Sequence, residues 1–278
     1  MKEINIDERL AGQKMMRCLE RYLSNAPKSF LYKMLRKKNI TLNNSKATGD
    51  EKLKCGDTIK IFFSDETFEK FSANNNQTVK DDYYSKIYKP LDIIYENSDV
   101  IFINKPSGML SQKAKPEDVS LVEYLIAHLI HKGELNAGDL ASFKPGICNR
   151  LDRNTSGIVA AGKTTKGLQQ LSEAFKLRTL GKYYLCIVKG RVAKRALIKG
   201  YLYKDNKTNK VTISRTEIKD SLPVETEYIP VCSNGNVTLL KIHLLTGRSH
   251  QIRAHLASIG HPLIGDYKYG SKQINDTF

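Results

Sequence analysis

The stretch Asn149-Arg150-Leu151-Asp152-Arg153-Asn154-Thr155-Ser156-Gly157 sets one carboxylate between two guanidinium groups, with turn-forming residues behind it. An apolar run, Gly157 to Gly162, follows at once, so the polar groups stand where the chain enters a core strand. By itself this reads as a turn with a surface ion pair. A second stretch, Leu245-Thr-Gly-Arg-Ser-His-Gln-Ile-Arg-Ala-His-Leu-Ala257, shifts the weighing towards catalysis. It is polar at its start and continues as a helix with Ile252, Leu256 and Ile259 inward. Arg253 adjoins Ile252 and is expected to be partly buried, so it needs a carboxylate to offset its desolvation. Asp152 is a candidate for that carboxylate. A neighbouring guanidinium would keep an Asp ionised, ready to act as nucleophile or base. His250 and His255 are five residues apart, which is not the four-residue spacing of a helical zinc pair, and no metal is expected.

One motif invites a different chemistry. Gly157-x-x-x-x-Gly162-Lys163-Thr164 matches the phosphate-binding loop of NTPases letter for letter. That loop needs a flexible turn whose amides face phosphates. Here the intervening residues are Ile158, Val159, Ala160 and Ala161, a strand core whose amides would be used in a sheet. No later apolar strand ends in an Asp that could hold magnesium, so the NTPase reading fails on context.

The elements that position these residues follow from pattern. Asp99 to Asn104 is an apolar strand ending in the turn Lys105-Pro106-Ser107-Gly108. Leu121 to Ile130 is an amphipathic helix, Gly157 to Gly162 a strand, Leu168 to Lys176 a helix and Tyr183 to Val188 a strand. Residues 200–245 give several strands, and Ser249 to Ile259 a helix. In the first 64 residues Met16, Leu19, Tyr22 and Leu23 recur at helical spacing. Ser29 is placed to cap a second helix, Phe30 to Lys38. A short strand at Ile40 and Leu42, an Asn43-Asn44 turn, and a strand from Thr58 to Phe63 complete this part.

The chain has 278 residues with 45 Lys+Arg against 29 Asp+Glu, a formal net charge of +16. Such a length suits one large domain or two ordinary ones and needs no disulfide or metal staple. Residues 1–64 carry 14 basic and 7 acidic side chains, residues 65–92 carry 4 and 6, and residues 93–278 carry 27 and 16. The polar middle segment has an Asn run and no apolar period, so 65–90 reads as a linker or long loop. The excess of positive charge points to a polyanionic partner, most simply nucleic acid. The five cysteines (Cys18, Cys55, Cys148, Cys186, Cys232) form no CxxC pair. No apolar stretch is long enough to span a bilayer, and the N-terminus lacks a secretory apolar core. The expectation is a soluble, monomeric protein of a reducing compartment, the cytoplasm, with no membrane partner.

The residues Ala26-Pro-Lys-Ser-Phe-Leu-Tyr-Lys-Met-Leu-Arg-Lys-Lys-Asn-Ile-Thr-Leu-Asn43 and Leu53-Lys-Cys-Gly-Asp-Thr-Ile-Lys-Ile61 resemble the RNA-binding domain first described in ribosomal protein S-four. The resemblance implies RNA binding by residues 1–64 through Lys28, Lys33, Arg36 and Lys37.

The stretches at 149–157 and 245–256, with Lys105-Pro106-Ser107-Gly108 and Gly260-x-Pro-x-x-Gly-Asp-x-x-Tyr-Gly270, resemble the RluA/RluC/RluD family of pseudouridine synthases. Lys182-Tyr183-Tyr184-Leu185 matches that family's Lys-x-Tyr strand. Asn149 stands where the family commonly has His, and Ser249 where it has Thr. The family pattern often continues with a further strand carrying a His-Ala pair, whereas eight residues follow Gly270 here.

What the resemblance implies is an α+β fold: a catalytic domain at 91–278, built on a mixed, mostly antiparallel sheet with flanking helices, preceded by the small α+β RNA-binding domain. Asp152 matches the family's essential Asp, acting at the ribose of a flipped uridine. Arg253 matches the basic residue paired with it. Tyr184 matches the Tyr that stacks on the base and assists proton removal from C5. Arg150 matches the Arg that enters the helix in place of the extruded nucleotide. Lys105, Arg248 and His250 join it as expected RNA contacts. No organic cofactor or metal is implied. The implied activity is pseudouridine formation in RNA, most simply large-subunit ribosomal RNA in the RluC-like branch. A transfer-RNA enzyme, or a non-catalytic ribosome-assembly protein of the same fold, is the alternative.

Overall fold

The chain opens with β1 (Lys2–Asn5), α1 (Met15–Tyr22), α2 (Lys28–Arg36), β2 (Ile40–Leu42), β3 (Ser45–Lys46) and β4 (Thr58–Ile61). In this computed structural model, residues 1–72, 77–205, 208 and 210–276 are described. The four strands form an antiparallel sheet in the order β1-β4-β2-β3. Asn43 and Asn44, both at positive φ, make the tight turn between β2 and β3. Met15, Met16, Cys18 and Leu19 of α1 and Leu31, Met34 and Leu35 of α2 face the sheet and are buried with Ile40, Ile59 and Ile61. The spacing of these apolar residues is what makes both helices one-sided. Ser29 does not cap α2. The helix starts earlier, with Pro27 as the N-cap and Ser29 inside its first turn. Proline suits a helix entrance because its φ is already fixed near the helical value.

Two helices occupy the segment expected as a linker or long loop, α3 (Asp65–Phe71) and α4 (Gln77–Ile87). Ser64 caps α3 by accepting from the Thr67 amide at 3.3 Å. Phe68 and Phe71 of α3 pack on Tyr22 and Phe30, with ring centroids 5.9 and 4.4 Å apart. The Asn run at 74–76 lies outside the described residues.

The next elements are β5 (Ile93–Glu96), β6 (Val100–Lys105), α5 (Leu121–His131), a 3-10 turn (Ala137–Ala141), β7 (Gly146–Ile147), β8 (Gly157–Gly162) and α6 (Thr165–Lys176). Their sheet runs β5-β6-β8-β7, antiparallel throughout. Ser120 and Glu123 form a capping box at the start of α5, where Glu123 Oε2 accepts from the Ser120 hydroxyl at 2.6 Å. All elements to this point belong to one compact unit, Met1–Lys176. Within it, the core of the first 61 residues also receives Phe143 and Leu168.

The second unit, Leu177–Phe278, holds β9 (Tyr183–Lys189), β10 (Ala196–Asp205), β11 (Lys210–Ser214), β12 (Leu222–Ser233), β13 (Val237–Leu244), α7 (Gln251–Ser258) and α8 (Lys272–Asn275). Its five-stranded sheet has the order β11-β10-β12-β13-β9, again antiparallel. The architecture is α+β, and every strand pairing among the described residues is antiparallel, where a mixed, mostly antiparallel sheet was expected. Helix α7 covers one face: Leu256 and Ile252 pack with Val188, Leu240 and Ile242, and Ala254 with Leu202, Val211 and Val224.

Candidate active site

Asp152 lies in the loop between β7 and β8, and the turn that leaves β6 fastens that loop. β6 and β8 pair with Lys105 opposite Gly157, which brings residues 105–111 alongside 149–156. The Ser111 hydroxyl donates to the Leu151 carbonyl at 2.7 Å and accepts from the Leu151 amide at 3.1 Å. The Ser107 hydroxyl donates to the Asn154 carbonyl at 2.9 Å, and the Gly108 amide to the Arg153 carbonyl at 2.9 Å. Arg153 Nε returns a bond to the Gly108 carbonyl at 3.1 Å. The backbone on both sides of Asp152 is therefore pinned, while its own carbonyl closes a turn by accepting from the Thr155 amide at 3.0 Å. Asp152 is half-buried and Arg150 is exposed.

Lys105 is placed otherwise than expected. It is fully buried, with 0% of its surface exposed, and its ammonium donates to the carbonyls of Pro106 and Met109 at 2.9 Å and of Arg153 at 3.1 Å. A side chain so enclosed makes no surface contact with RNA. Burial lowers its pKa, and the Asp152 charge works against that shift. Lys105 is thus a buried cation beneath the Asp152 loop. Asn149 serves the backbone. Its Oδ1 accepts from the Ala160 amide at 2.8 Å and its Nδ2 donates to the Ile158 carbonyl at 3.1 Å, so it extends the β7–β8 ladder by one side chain.

The phosphate-loop string is excluded by the same sheet. β8 pairs with β6 on one side and β7 on the other. Lys163 is buried against Glu96 Oε1 at 2.7 Å and the Asn97 carbonyl at 3.0 Å, and also pairs with Glu134. The Thr164 hydroxyl donates to Asp99 Oδ1 at 2.6 Å and accepts from the Gly167 amide at 3.0 Å, which starts α6. Gly162 is glycine for packing: a Cβ there would sit 2.5 Å from the Leu168 amide nitrogen.

In the second unit β9 alternates, with Tyr183 57% exposed and Tyr184 turned to the α7 side among Val188, Ile242 and Leu256. The loop before α7 is set by buried Gln251. Its Oε1 accepts from the Thr246 hydroxyl at 2.9 Å and the Arg248 amide at 3.1 Å. Its Nε2 donates to the Glu225 carbonyl at 3.1 Å and to Thr226 Oγ1 at 2.9 Å. Arg248 is exposed. His250 takes a left-handed conformation, φ 54°, as the N-cap, and its Nδ1 lies 2.8 Å from the Tyr269 hydroxyl. His255 is buried in α7, with Nδ1 3.1 Å from Thr226 Oγ1. Burial pushes its imidazole down to about 4.

Arg253 has a carboxylate in its own unit that the sequence reading missed. Its Nε donates to Asp266 Oδ2 at 2.7 Å and its Nη2 to Oδ1 at 2.8 Å. The signal was present in Gly265-Asp266-x-x-Tyr269-Gly270, yet nothing in the spacing says which cation that Asp meets. Tyr184, Arg248, His250 and Arg253 thus share the second unit, and Lys105, Arg150 and Asp152 the first. Lys33 and Arg36 of α2 and Lys37 at its C-cap are exposed, while Lys28 pairs with Glu20 at 2.8 Å on the surface. Among the described residues no three His, Cys, Asp or Glu side chains gather as a metal site requires, and no helix is long and apolar enough to cross a membrane.

The family model described as RNA pseudouridylate synthase matches residues 99–258. An uncharacterized RNA pseudouridine synthase of Mycoplasma pneumoniae is 32% identical over 91% of this chain and 76% of its own length. A ribosomal large subunit pseudouridine synthase C of Vibrio vulnificus is 29% identical over 98% of this chain and 81% of its own. A ribosomal large subunit pseudouridine synthase D of Borreliella burgdorferi is 31% identical over 91% and 75%. Among solved structures, human RNA Pseudouridylate Synthase Domain Containing 1 is similar in fold, with a TM-score of 0.54 and 22% identity. That match covers 68% of this chain and 73% of that one.

Proposed function

The chain belongs to the RNA pseudouridylate synthase family and is an RNA pseudouridine synthase; from that premise we propose that it isomerises specific uridines of large-subunit ribosomal RNA, with Asp152 as the reacting carboxylate. The relatives named for the ribosomal large subunit, similar along nearly the whole chain, support the substrate. The observation that carries the residue is the pinned loop, which holds Asp152 by bonds to Leu151, Arg153 and Asn154 on either side. Preorganised backbone is what a group needs when it must meet a single ribose carbon.

In this reading the target uridine leaves the stack, and Arg150 occupies the space it vacates, a planar cation recovering part of the few kcal/mol of unstacking. The Asp152 carboxylate either attacks C1′ or removes the C2′ proton. Either route breaks the N1–C1′ bond and frees the uracil while the sugar is held. Tyr184 gives the detached base a flat surface to turn on. The C5–C1′ bond then forms as the Asp152–C1′ bond breaks, or as the proton held by Asp152 returns to C2′; the C5 proton is lost with Tyr184 assisting, and N1 ends protonated. Arg253, held by Asp266 in its own unit, is the basic residue that the reaction uses. No redox change occurs, and no cofactor is called for. Arg248, His250 and the exposed cations of α2 contact the RNA backbone.

Two measurements test this. Pseudouridines are mapped in ribosomal and transfer RNA from cells with and without the protein. Sites lost only from large-subunit ribosomal RNA support the proposal, and sites lost only from transfer RNA replace that substrate. Asp152→Ala is expected to slow turnover by at least about a thousandfold while leaving fold and RNA binding intact. Turnover near that of the wild type would sink the mechanism.

A further inference from the structure

The string Gly265-Asp266-Tyr267-Lys268-Tyr269-Gly270 closes on itself. Asp266 Oδ1 accepts from the Lys268 amide at 2.9 Å and the Tyr269 amide at 3.1 Å, and the Asp266 carbonyl accepts from the Gly270 amide at 2.9 Å. A Cβ at Gly270 would lie 2.5 Å from that carbonyl oxygen, so the turn requires glycine there. The Asp266 side chain is only 4% exposed, yet its carboxylate is fully occupied: Oδ1 takes Arg253 Nη2 as well as the two amides, and Oδ2 takes Arg253 Nε. Burial opposes its charge, but the Arg253 bonds and the two amides outweigh burial and hold the carboxyl below its ordinary range.

The tyrosine of the same turn meets the same cation. The Tyr269 ring lies 5.0 Å from Arg253 Cζ. Its hydroxyl accepts from the Val211 amide at 3.0 Å and lies 2.8 Å from His250 Nδ1. One short turn therefore fixes the guanidinium in its plane through Asp266 and across its face through Tyr269, and it ties His250 to the same ring. A guanidinium has five N–H donors. Asp266 takes two of them, so the edge turned away from Asp266 is presented in one orientation. A buried ion pair adds little net stability, since desolvation offsets most of the attraction; what it can supply is orientation.

We propose that Asp266 and Tyr269 are positioning residues that orient Arg253, and that the turn 265–270 exists to aim that guanidinium. The proposal rests on the reading of Arg253 as the basic residue of the reaction. Misplacing such a group by about an ångström costs on the order of a hundredfold in rate. Asp266→Asn keeps the shape of the side chain and removes its charge. It is expected to lower kcat roughly 10- to 100-fold with KM for RNA within about threefold. Tyr269→Phe keeps the ring over Arg253 and is expected to lose less than Tyr269→Leu, which removes it.

The decisive test is a double-mutant cycle read by kcat, using full-length protein and a ribosomal RNA fragment. In an Arg253→Lys background the further loss from Asp266→Asn should shrink to below about threefold, because its effect runs through Arg253. Losses that simply multiply would overturn the proposal. A second readout needs no activity: the Arg253 Nε–H signal by NMR, assigned by its disappearance in Arg253→Lys. It should be protected from exchange in the wild type and lose that protection in Asp266→Asn. Unchanged protection overturns the proposal, as does lost protection with unchanged kcat. If Asp266→Asn fails to fold, the Tyr269→Phe and Tyr269→Leu pair decides, and equal kcat in the two overturns the role of the ring. Failure of the underlying reading shows elsewhere, as an active Asp152→Ala or an unimpaired Arg253→Lys, so the two failures are separable.

Discussion

At Lys105 a cation sits among three carbonyl oxygens with no surface open to water, and two of those carbonyls, Pro106 and Met109, receive no other hydrogen bond in the described structure. The Arg153 carbonyl keeps the Gly108 amide if the lysine is removed. Lys105→Met fills the same space and strands two acceptors, each costing about 1–3 kcal/mol, while relief of the buried charge returns part of that. The expected loss is about 2–4 kcal/mol in urea unfolding, with a fall in kcat as the Asp152 loop loosens. A loss below about 0.5 kcal/mol would refute the bracing role. The sequence could not disclose this. A Lys beside Pro-Ser-Gly reads as a turn cation, and only the meeting of residues 106, 109 and 153 supplies the oxygens that let it be buried. The turn at Asp152 was legible for the opposite reason: its neighbours Arg150, Arg153 and the Asn-Thr-Ser-Gly run are local. Asp266 was not, because its partner lies 13 residues back, on a helix whose rotation the chain alone does not fix.

Elements were legible where apolar period and glycine agreed. β8 is strand between Gly157 and Gly162, as its Ile-Val-Ala-Ala core requires, and Lys163-Thr164 passes straight into ion pairs and a helix start rather than a phosphate cradle. The helices in 65–87 were not read, although Ser64 with Phe68 and Phe71 carried a cap and an i, i+3 apolar pair; the polar composition around them dominated. Helix α7 carries a pH dependence of its own. His255 is 1% exposed, with its imidazole held near 4 by burial, against about 6.5 for an open histidine. Between those values the unfolded chain binds a proton that the folded chain refuses. The stability contribution is therefore complete above pH 6.5 and is lost as pH falls through 4. Its size is on the order of 3 kcal/mol. Unfolding free energies of the wild type and of His255→Gln, measured from pH 7 to 4, should converge by about that amount. Parallel curves would mean that the buried imidazole takes its proton without cost.

Across the whole molecule the charge of +16 is carried chiefly by two stretches, and the first of them is no detachable handle. Phe143 and Leu168 pack into the core of residues 1–61, and Arg9 pairs with Asp139 at 2.8 Å. Deleting residues 1–64 would therefore expose apolar surface and take from Asp139 its cation, so weaker RNA binding after deletion would not show what the basic face does. Surface substitutions separate the two effects. Lys33 and Arg36 project from α2 and Lys37 from its C-cap, while the helix buries Leu31, Met34 and Leu35, so changing the cations leaves that packing intact. Lys28 pairs with Glu20 on the open surface, where an ion pair is worth about 1 kcal/mol or less, and it can exchange that partner for phosphate. Each phosphate contact releases counterions, so the slope of log affinity against log salt records how many are made. Replacing Lys33, Arg36 and Lys37 together by Ala should flatten the slope by about 2, at roughly 0.7 per contact on single strands and somewhat more on duplex RNA. Affinity for a long ribosomal RNA fragment should fall at low salt, and the unfolding midpoint should stay put. The rate of the bound complex should also hold, since none of the three lies in the Asp152 loop or the second unit. An unchanged slope with unchanged affinity would remove Lys33, Arg36 and Lys37 from RNA recognition.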